Sequence, residues 1–450
     1  MSLDGRERAT QNHGAPMYWR ILLAVGFWLF VLGSAWAPID AQRAGTFRGS
    51  SDDPAIRYST TTALNNAVVD VNKRLQDGTL QLAFDERSGF LQSVLEALRI
   101  PVDSQLLVFS RTSLQGKRIG EQNPRALFFN DRVALGWVRG GDVLEVAAHD
   151  ESAGVVFYTL EQRTDATNGP PQFKRAFECL GCHLTGNTLG VPGLLMFSTT
   201  RPEPSQFSGV PRHIDHSDPL RQRFGGWFVT GSTGSAQHMG NEAAALDART
   251  SRELASVEGL FDAAGYRALS SDIVAHLVLT HQAGMTNLLT RAAWEARAVD
   301  PALHPLFAPD PGMEGRIAMM MSGVASEVVD YLLFVDEAKL MDPVRGGSGF
   351  AERFSTTWPR DRKGRSLYEL DLNRRLMKYP CSYLIYSPAF DALPPLAKDP
   401  IYRRMWEVLS GQEQDPRYRS ALSLADRQSI VEILRDTKKD LPPYFQNVTR

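Results

Sequence analysis

The stretch Val143-Leu144-Glu145-Val146-Ala147, followed after His149-Asp150-Glu151 and Gly154 by Val155-Val156-Phe157-Tyr158-Thr159-Leu160, reads as a β-hairpin. Apolar and β-branched residues fill both runs, and polar turn residues with a glycine separate them. Toward the N-terminus, Leu106 to Phe109, Ala126 to Phe129 and Val133 to Val138 have the same form, the last two divided by Asn130-Asp131. Together they predict a β-rich unit of about five strands. Two helices precede it. One runs from Thr62 to Leu75 on the spacing of Leu64, Val68, Val71 and Leu75; the other runs from Phe90 to Leu98 and is closed by Ile100-Pro101.

Beyond the hairpin, Asn168-Gly169-Pro170-Pro171 punctuates the chain and launches a helix in which Phe173, Phe177, Leu180 and Leu184 recur at helical spacing. From Thr185 to Gly240 glycine, proline and polar residues dominate, with Val191 to Phe197 and Gly226 to Thr230 as apolar islands. An irregular stretch of that length inside a folded protein is usually functional or disordered. Its Trp, Phe, His and Met content favours an ordered wrap. From Ser251 the chain turns helical. Ser271-Asp272 caps a helix to about Val299, and others cover Met313 to Leu340, Ser366 to Met377, Ile401 to Leu409 and Leu424 to Thr437. The last opens with Ser423-x-x-Asp426, a capping box with Asp in place of Glu. The expected fold class is α+β: a small β-rich N-terminal unit, an irregular middle and a mainly α-helical C-terminal half.

Bulk properties exclude some functions and permit others. The chain has 450 residues, 43% hydrophobic and 22% charged, enough for a sizeable core. A formal net charge of -2 gives no basic field, so nucleic acid is not an expected partner. At the N-terminus Arg6, Arg8 and Arg20 precede an uncharged apolar run from Ile21 to Trp36. That length suits a signal-peptide core better than a span of about 20 residues. Gly33-Ser34-Ala35 and Ala35-Trp36-Ala37 offer cleavage sites, while Pro38 hinders cutting after Ala37, so an uncleaved anchor remains the alternative. Either way the body is expected outside the cytoplasmic membrane, in the periplasm, with membrane contact only through that segment.

Cys179-Leu180-Gly181-Cys182-His183 is the chemically specific motif. C-x-x-C-H is the attachment sequence for a c-type haem. Positions three apart share one helix face, so Cys179 and Cys182 can both form thioethers with the porphyrin edge, and His183 can ligate iron. The alternatives are a thioredoxin-like pair, half a zinc site or a disulfide. The third and last cysteine, Cys381, lies far along the chain in Tyr379-Pro380-Cys381-Ser382-Tyr383 and reads as a small buried hydrophobe. The resulting division is residues 1–41 as signal peptide or membrane anchor, 60–165 as the β-rich unit, 166–250 as the haem-attachment region, and 251–450 as a helical region completing the haem pocket.

Several residues compete for the second axial position. Met239, in the loop Gln237-His238-Met239-Gly240, has no apolar neighbours to explain it as packing and is the first choice. His238 is a weaker one. His281 aligns with Val274, Leu277, Val278, Met285 and Leu288 on a helix, facing the buried side, with His276 turned away. Met196 reads as core, as does Met319-Met320-Met321. His213-Ile214-Asp215-His216-Ser217-Asp218 reads as a turn before Pro219 rather than a metal cluster. Arg221 and Arg223, with Arg212 nearby, are donors for haem propionates or else solvated surface residues.

The motif at 179–183, Gly-Gly-Trp-Phe-Val-Thr-Gly at 225–231, Gln-His-Met-Gly-Asn at 237–241 and Lys-Tyr-Pro-Cys-Ser-Tyr at 378–383 resemble exported bacterial proteins described as cytochrome c domain-containing, from about residue 90 onward. The resemblance implies one covalent haem c, metal binding and electron transfer with a redox partner protein. An electron carrier is expected ahead of a peroxidase-like haem oxidoreductase with an open distal site.

Overall fold

Strand period and strand partners together make a seven-stranded antiparallel sheet in the order β6-β5-β4-β3-β2-β1-β9. Its strands are β1 (Leu106–Val108), β2 (Arg125–Phe129), β3 (Val133–Trp137), β4 (Val143–Asp150), β5 (Gly154–Glu161), β6 (Lys174–Arg175) and β9 (Trp227–Phe228). Strands β7 (Phe197–Thr199) and β8 (Pro211–His213) form a separate pair. The computed structural model describes residues 45–163, 169–200, 210–241, 253–304 and 312–446. The apolar run Ile21 to Trp36 lies outside them.

Period two sorts the sheet into two faces. Phe128, Leu135, Trp137, Val146, Val156 and Tyr158 point into the main core. There they meet α1 (Ala67–Gln76) through Val68, Val71 and Leu75, and α2 (Leu91–Ala97) through Leu91 and Val94. The opposite face carries Arg125, Ala134, Glu145, Ala147 and His149, all partly exposed, together with Val155 and Phe157. The turn Leu180–His183 is α3.

The C-terminal half is built on α4 (Ile273–Val299). Asp272 caps it by accepting from the Val274 amide, and also holds the amides of Gly347 and Ser348 at 2.8 and 2.9 Å. Helix α5 (Met313–Leu332) packs on α4 and on α8 (Pro395–Ser410). Between them in sequence lie α6 (Phe350–Ser355) and α7 (Pro388–Asp391); α9 (Pro416–Ala421) and α10 (Leu424–Thr437) close the chain, α10 with both halves of its Ser423/Asp426 capping box made. Sheet and helices are knit together from Gly45 onward. Ser271 accepts from Leu107 and donates to Phe228 O, and Gln105 donates to Ala268 O and Ser270 O.

The α+β class is what the sequence predicts, and several details differ. The sheet gains β6 just before the cysteine motif and β9 from the irregular stretch, both only two residues long and too short to carry a periodic signal. Strand β4 continues past Ala147 to Asp150, so His149 belongs to the strand and not to the turn; Asp150 then makes the turn by accepting from the amides of Ser152 and Ala153. The expected helix at 366–377 is absent. Asp371 accepts from the amides of Asn373 and Arg374, Leu372 adopts a left-handed φ of 60°, and Leu370 pairs with Met377 across a tight loop. Helix α5 ends at Leu332, short of Leu340. Of the three consecutive methionines only Met321 is buried, while Met319 is 78% exposed. His276 is fully buried despite the outward direction its spacing suggested, because α4 is surrounded by protein on nearly all sides.

Candidate haem-attachment site

The C-x-x-C-H stretch is laid down by the sheet edge. Arg175 pairs with Tyr158, and the Ala176 amide donates to Phe157 O at 2.9 Å, which delivers the chain across the open face of β5. It then turns through one 3-10 turn, Phe177–Cys179, into α3. The apolar spacing Phe173, Phe177, Leu180, Leu184 is therefore not one continuous helix, since β6 interrupts it. Phe177 is exposed and sits under the Arg175 guanidinium, 4.6 Å from the ring centroid.

Cys179 is half-buried in a small apolar cluster of Val155, Phe157 and Ala176, flanked by Ala147, Leu180 and Leu194. Cys182, one turn on, is exposed. Burial pushes the Cys179 thiol up to about 11, with the charges of Glu145 and Glu178 adding to it. A redox-active C-x-x-C pair requires a depressed thiol pKa. Cys179 has the opposite character, a neutral thiol held against an apolar surface.

His183 stands over Phe157, ring centroids 4.7 Å apart. Its Nδ1 is 2.8 Å from Gly193 O, and the Gly193 amide returns a bond of 3.0 Å to His183 O. Burial lowers the imidazole pKa, so the ring is neutral at pH 7. A neutral ring that donates from Nδ1 to a carbonyl leaves the Nε2 lone pair free, the arrangement of a metal-ligating histidine with an outer partner fixing its tautomer.

The strap that carries Gly193 is itself clamped. Thr185 and Thr188 make a reciprocal cap over a 3-10 turn, and Asn287 of α4, 2% exposed, bonds both Leu194 N and Leu194 O at 2.8 Å. Only glycine fits at 193, because a Cβ there would lie 2.3 Å from Asn287 Oδ1.

Beside the motif the sheet offers a floor of small residues. Ala134 and Ala147 are cross-strand partners, as are Gly136 and Glu145, so the middle of β3 and β4 is shallow on this face. The Arg125 side chain lies across Gly136, where a Cβ would collide with its guanidinium, and forms an ion pair with Glu145. Arg125 Nε is buried and has no hydrogen-bond partner among the described residues. Two thiols one turn apart and an imidazole held through Nδ1 are the donor set that a C-x-x-C-H haem would use, while the Ala134 and Ala147 floor is faced by Leu194 and by Gln282 and Thr286 of α4 across a cleft of about 10 Å³. No group of three or more His, Cys, Asp or Glu side chains that could hold a bare metal ion occurs among the described residues.

The remaining sequence candidates lie elsewhere. Met239 Sδ is 3.6 Å from Ser198 Oγ and its amide donates to Arg223 O, in the neighbourhood of β7. His238 is buried, with Nδ1 accepting from the Gly240 amide. His281 is fully buried with both nitrogens engaged, Nδ1 to His216 at 2.9 Å and Nε2 to Ser382 Oγ at 2.8 Å. Met196 is core. Arg223 is buried and holds the carbonyls of Asp218 and His216, while Arg221 is exposed. Arg212 pairs with Asp218, and Asp215 accepts from the Ser217 amide, a turn as expected. Cys381 is fully buried and its thiol pKa is raised by that burial.

Sequence reasoning missed Gly193, Asn287, Arg125 and the Ala134/Gly136/Ala147 floor. Period two along β3 and β4 was the one signal that pointed to the floor; nothing local linked Asn287 to the motif. Comparison with protein-family models, with curated proteins and with solved structures gives no match to this chain.

Proposed function

We propose that this chain is an exported monohaem c-type cytochrome that carries electrons to or from a partner protein. The observation that carries the reading is the His183 setting: a neutral imidazole anchored at Nδ1 by Gly193 O, next to two unpaired cysteines at thioether spacing and beside a shallow sheet face. Cys179 and Cys182 would hold the porphyrin through their sulfurs, and His183 Nε2 would donate to iron. When bound, the haem supplies a one-electron ferric/ferrous couple. The chain's own residues do the rest. The apolar cluster around Cys179 excludes water from one side, the Gly193 carbonyl keeps the ring orientation and raises its basicity, and Arg125 offers positive charge to a carboxylate. Cys182 is exposed, so the attachment edge lies at the surface, where a partner protein can approach. Export is part of the proposal because the haem-ligation machinery works outside the membrane. No helix among the described residues is long and apolar enough to cross a membrane.

The test is expression of the full chain together with that machinery. Intact mass must rise by one haem, and the pyridine haemochrome must show two thioethers. Cys179→Ala and Cys182→Ala must each leave a single thioether. A colourless product of unmodified mass overturns the proposal. Rapid uptake of peroxide by the ferric protein would replace electron transfer with the oxidoreductase reading.

A further inference from the structure

A cavity of about 200 Å³ lies where the end of β2 meets α4 and α6, with no residue of the cysteine motif in its lining. Aromatic rings wall it: Phe129 at the end of β2, Phe350 and Phe354 on α6, and Tyr368 and Tyr383 from the chain that follows. Each ring is at most 7% exposed. They form one connected group, Phe129 on Phe350, Phe350 on Phe354, and Phe354 on both tyrosines, with centroids 5.0 to 5.7 Å apart. Arg99 and Arg353, both exposed, also line the cavity, so it opens to solvent. A dry cavity of about 150 Å³ accommodates benzene, and this one therefore has room for a single ring and a short arm.

Asp131 is the acidic residue of this lining, and its backbone is fixed from several sides. Asn130 Oδ1 accepts from the amides of Arg132 and Val133 at 2.9 Å, Asn130 Nδ2 donates to Leu98 O, and Gln282 donates to Asn130 O at 2.6 Å. Gln282 Oε1 in turn accepts from the Tyr383 hydroxyl at 2.8 Å. The Asp131 carboxylate, by contrast, makes no hydrogen bond or ion pair with another described residue beyond the charge of its neighbour Arg132, and burial raises its pKa. The Tyr368 hydroxyl also lacks a partner among the described residues and is not sealed from solvent. Burial raises that phenol's pKa and the nearby charge of Asp131 adds to it, so the hydroxyl stays protonated with its lone pairs available. Of the two arginines, Arg353 is neutralised by Asp103, with Nε at 2.8 and 2.6 Å from the two carboxylate oxygens. Arg99 carries its charge at the exposed rim, where salt screens it.

Two oxygen acceptors without donors, set against an aromatic wall, match a ligand with a cationic N–H group and an apolar body. We infer that this cavity binds a small primary amine, with its ammonium held by the Asp131 carboxylate and the Tyr368 hydroxyl and its apolar part, a single ring or the equivalent, packed on Phe129, Phe350 and Phe354. The ammonium offsets the cost of the half-buried carboxylate, and the rings favour a cation beside them. This goes beyond the haem reading and does not depend on it.

The experiment is calorimetric titration of the purified full chain with phenethylamine, which is expected to show one site. Phenethyl alcohol, which has the same shape without the charge, is expected to bind about tenfold or more weakly, the measure of a charge-assisted hydrogen bond. Asp131→Asn keeps the side-chain size and is expected to lower the amine affinity about tenfold or more while leaving that of the alcohol and the circular dichroism spectrum unchanged. Should Asp131→Asn fail to fold, Tyr368→Phe serves instead: a severalfold loss of amine affinity supports the assignment, and an unchanged affinity refutes it. No binding at millimolar amine overturns the inference, as does equal affinity of wild type and folded Asp131→Asn. Tighter binding of the anion hydrocinnamate, lost in Arg99→Ala, also overturns it, because the anchoring charge would then be Arg99.

Discussion

Replacing Asn287 by alanine removes the clamp on the strap that positions His183. Two hydrogen bonds are lost, from Nδ2 to Leu194 O and from Leu194 N to Oδ1, each 2.8 Å long. Asn287 is 2% exposed and both Leu194 backbone groups face it, so water does not simply take its place. Leaving a buried donor and a buried acceptor unpaired costs about 1–3 kcal/mol each. Allowing for some relaxation of a partly exposed strap, we expect Asn287→Ala to lower the free energy of unfolding by about 2–4 kcal/mol. Asn287→Asp keeps an acceptor for Leu194 N but has no donor for Leu194 O, and should lie between the two. Gly193→Ala attacks the same clamp from the other side, since its Cβ would meet Asn287 Oδ1 at 2.3 Å and Thr188 Cβ at 3.0 Å. The assay is urea unfolding followed by circular dichroism at pH 7, read as a change in midpoint at constant slope. Amide exchange at Leu194 and at Gly193, whose N–H donates to His183 O, supplies a local readout. An Asn287→Ala protein within about 0.5 kcal/mol of wild type, with Leu194 exchange unchanged, would refute the idea that this side chain holds the strap.

Three further outcomes follow from the geometry. If the chain carries haem as proposed, Ala147→Phe crowds the apolar cluster around Cys179 without entering the main core, so the protein should keep its far-ultraviolet spectrum while its haem-to-protein ratio drops about tenfold; a full haem complement would count against a role for that cluster. Asp272→Ala strips the cap from α4 and the acceptor from Gly347 and Ser348, and a loss of about 3–5 kcal/mol in the same urea assay is expected, with no loss meaning that the loop finds other partners. Burial holds the folded-state pKa of His216 and His276 down at about 3 and that of His281 well below the usual value, so unfolding takes up protons below about pH 6.5 and stability falls as pH falls. His149, held down at about 4, is a fourth such imidazole, and Glu337, raised by burial to about 7, opposes them over pH 4.5–7; with four groups against one the unfolding free energy should decline by about 3–4 kcal/mol per pH unit between pH 6 and 5. A flat profile over that interval, measured by urea titration at each pH, would show that these imidazoles are solvated.

Much of the local structure was legible in the chain. The alternation Val143 to Ala147, the Asp272 cap and the Ser423/Asp426 box all act over a few residues, and each is found where the sequence put it. Where the reading failed, a local competitor or a distant partner decided. At 366–377 the Asp371 turn and a left-handed Leu372 override an apolar pattern that suits a helix. At 147–150 the strand outruns its apolar residues because β5 pairs with it to its end, at Asp150, which makes His149 a strand residue and not a turn residue.

By itself, then, the sequence determined most of the element types, the helix caps and the C-x-x-C-H spacing, since propensity, period and spacing are properties of neighbours along the chain. Only the tertiary structure decided which residues surround that motif. Gly193 reaches His183 across a strap locked by Asn287, and Ala147, Val155 and Phe157 come to Cys179 from strands upstream, through contacts whose entropy of loop closure is repaid only once the whole sheet and α4 have assembled.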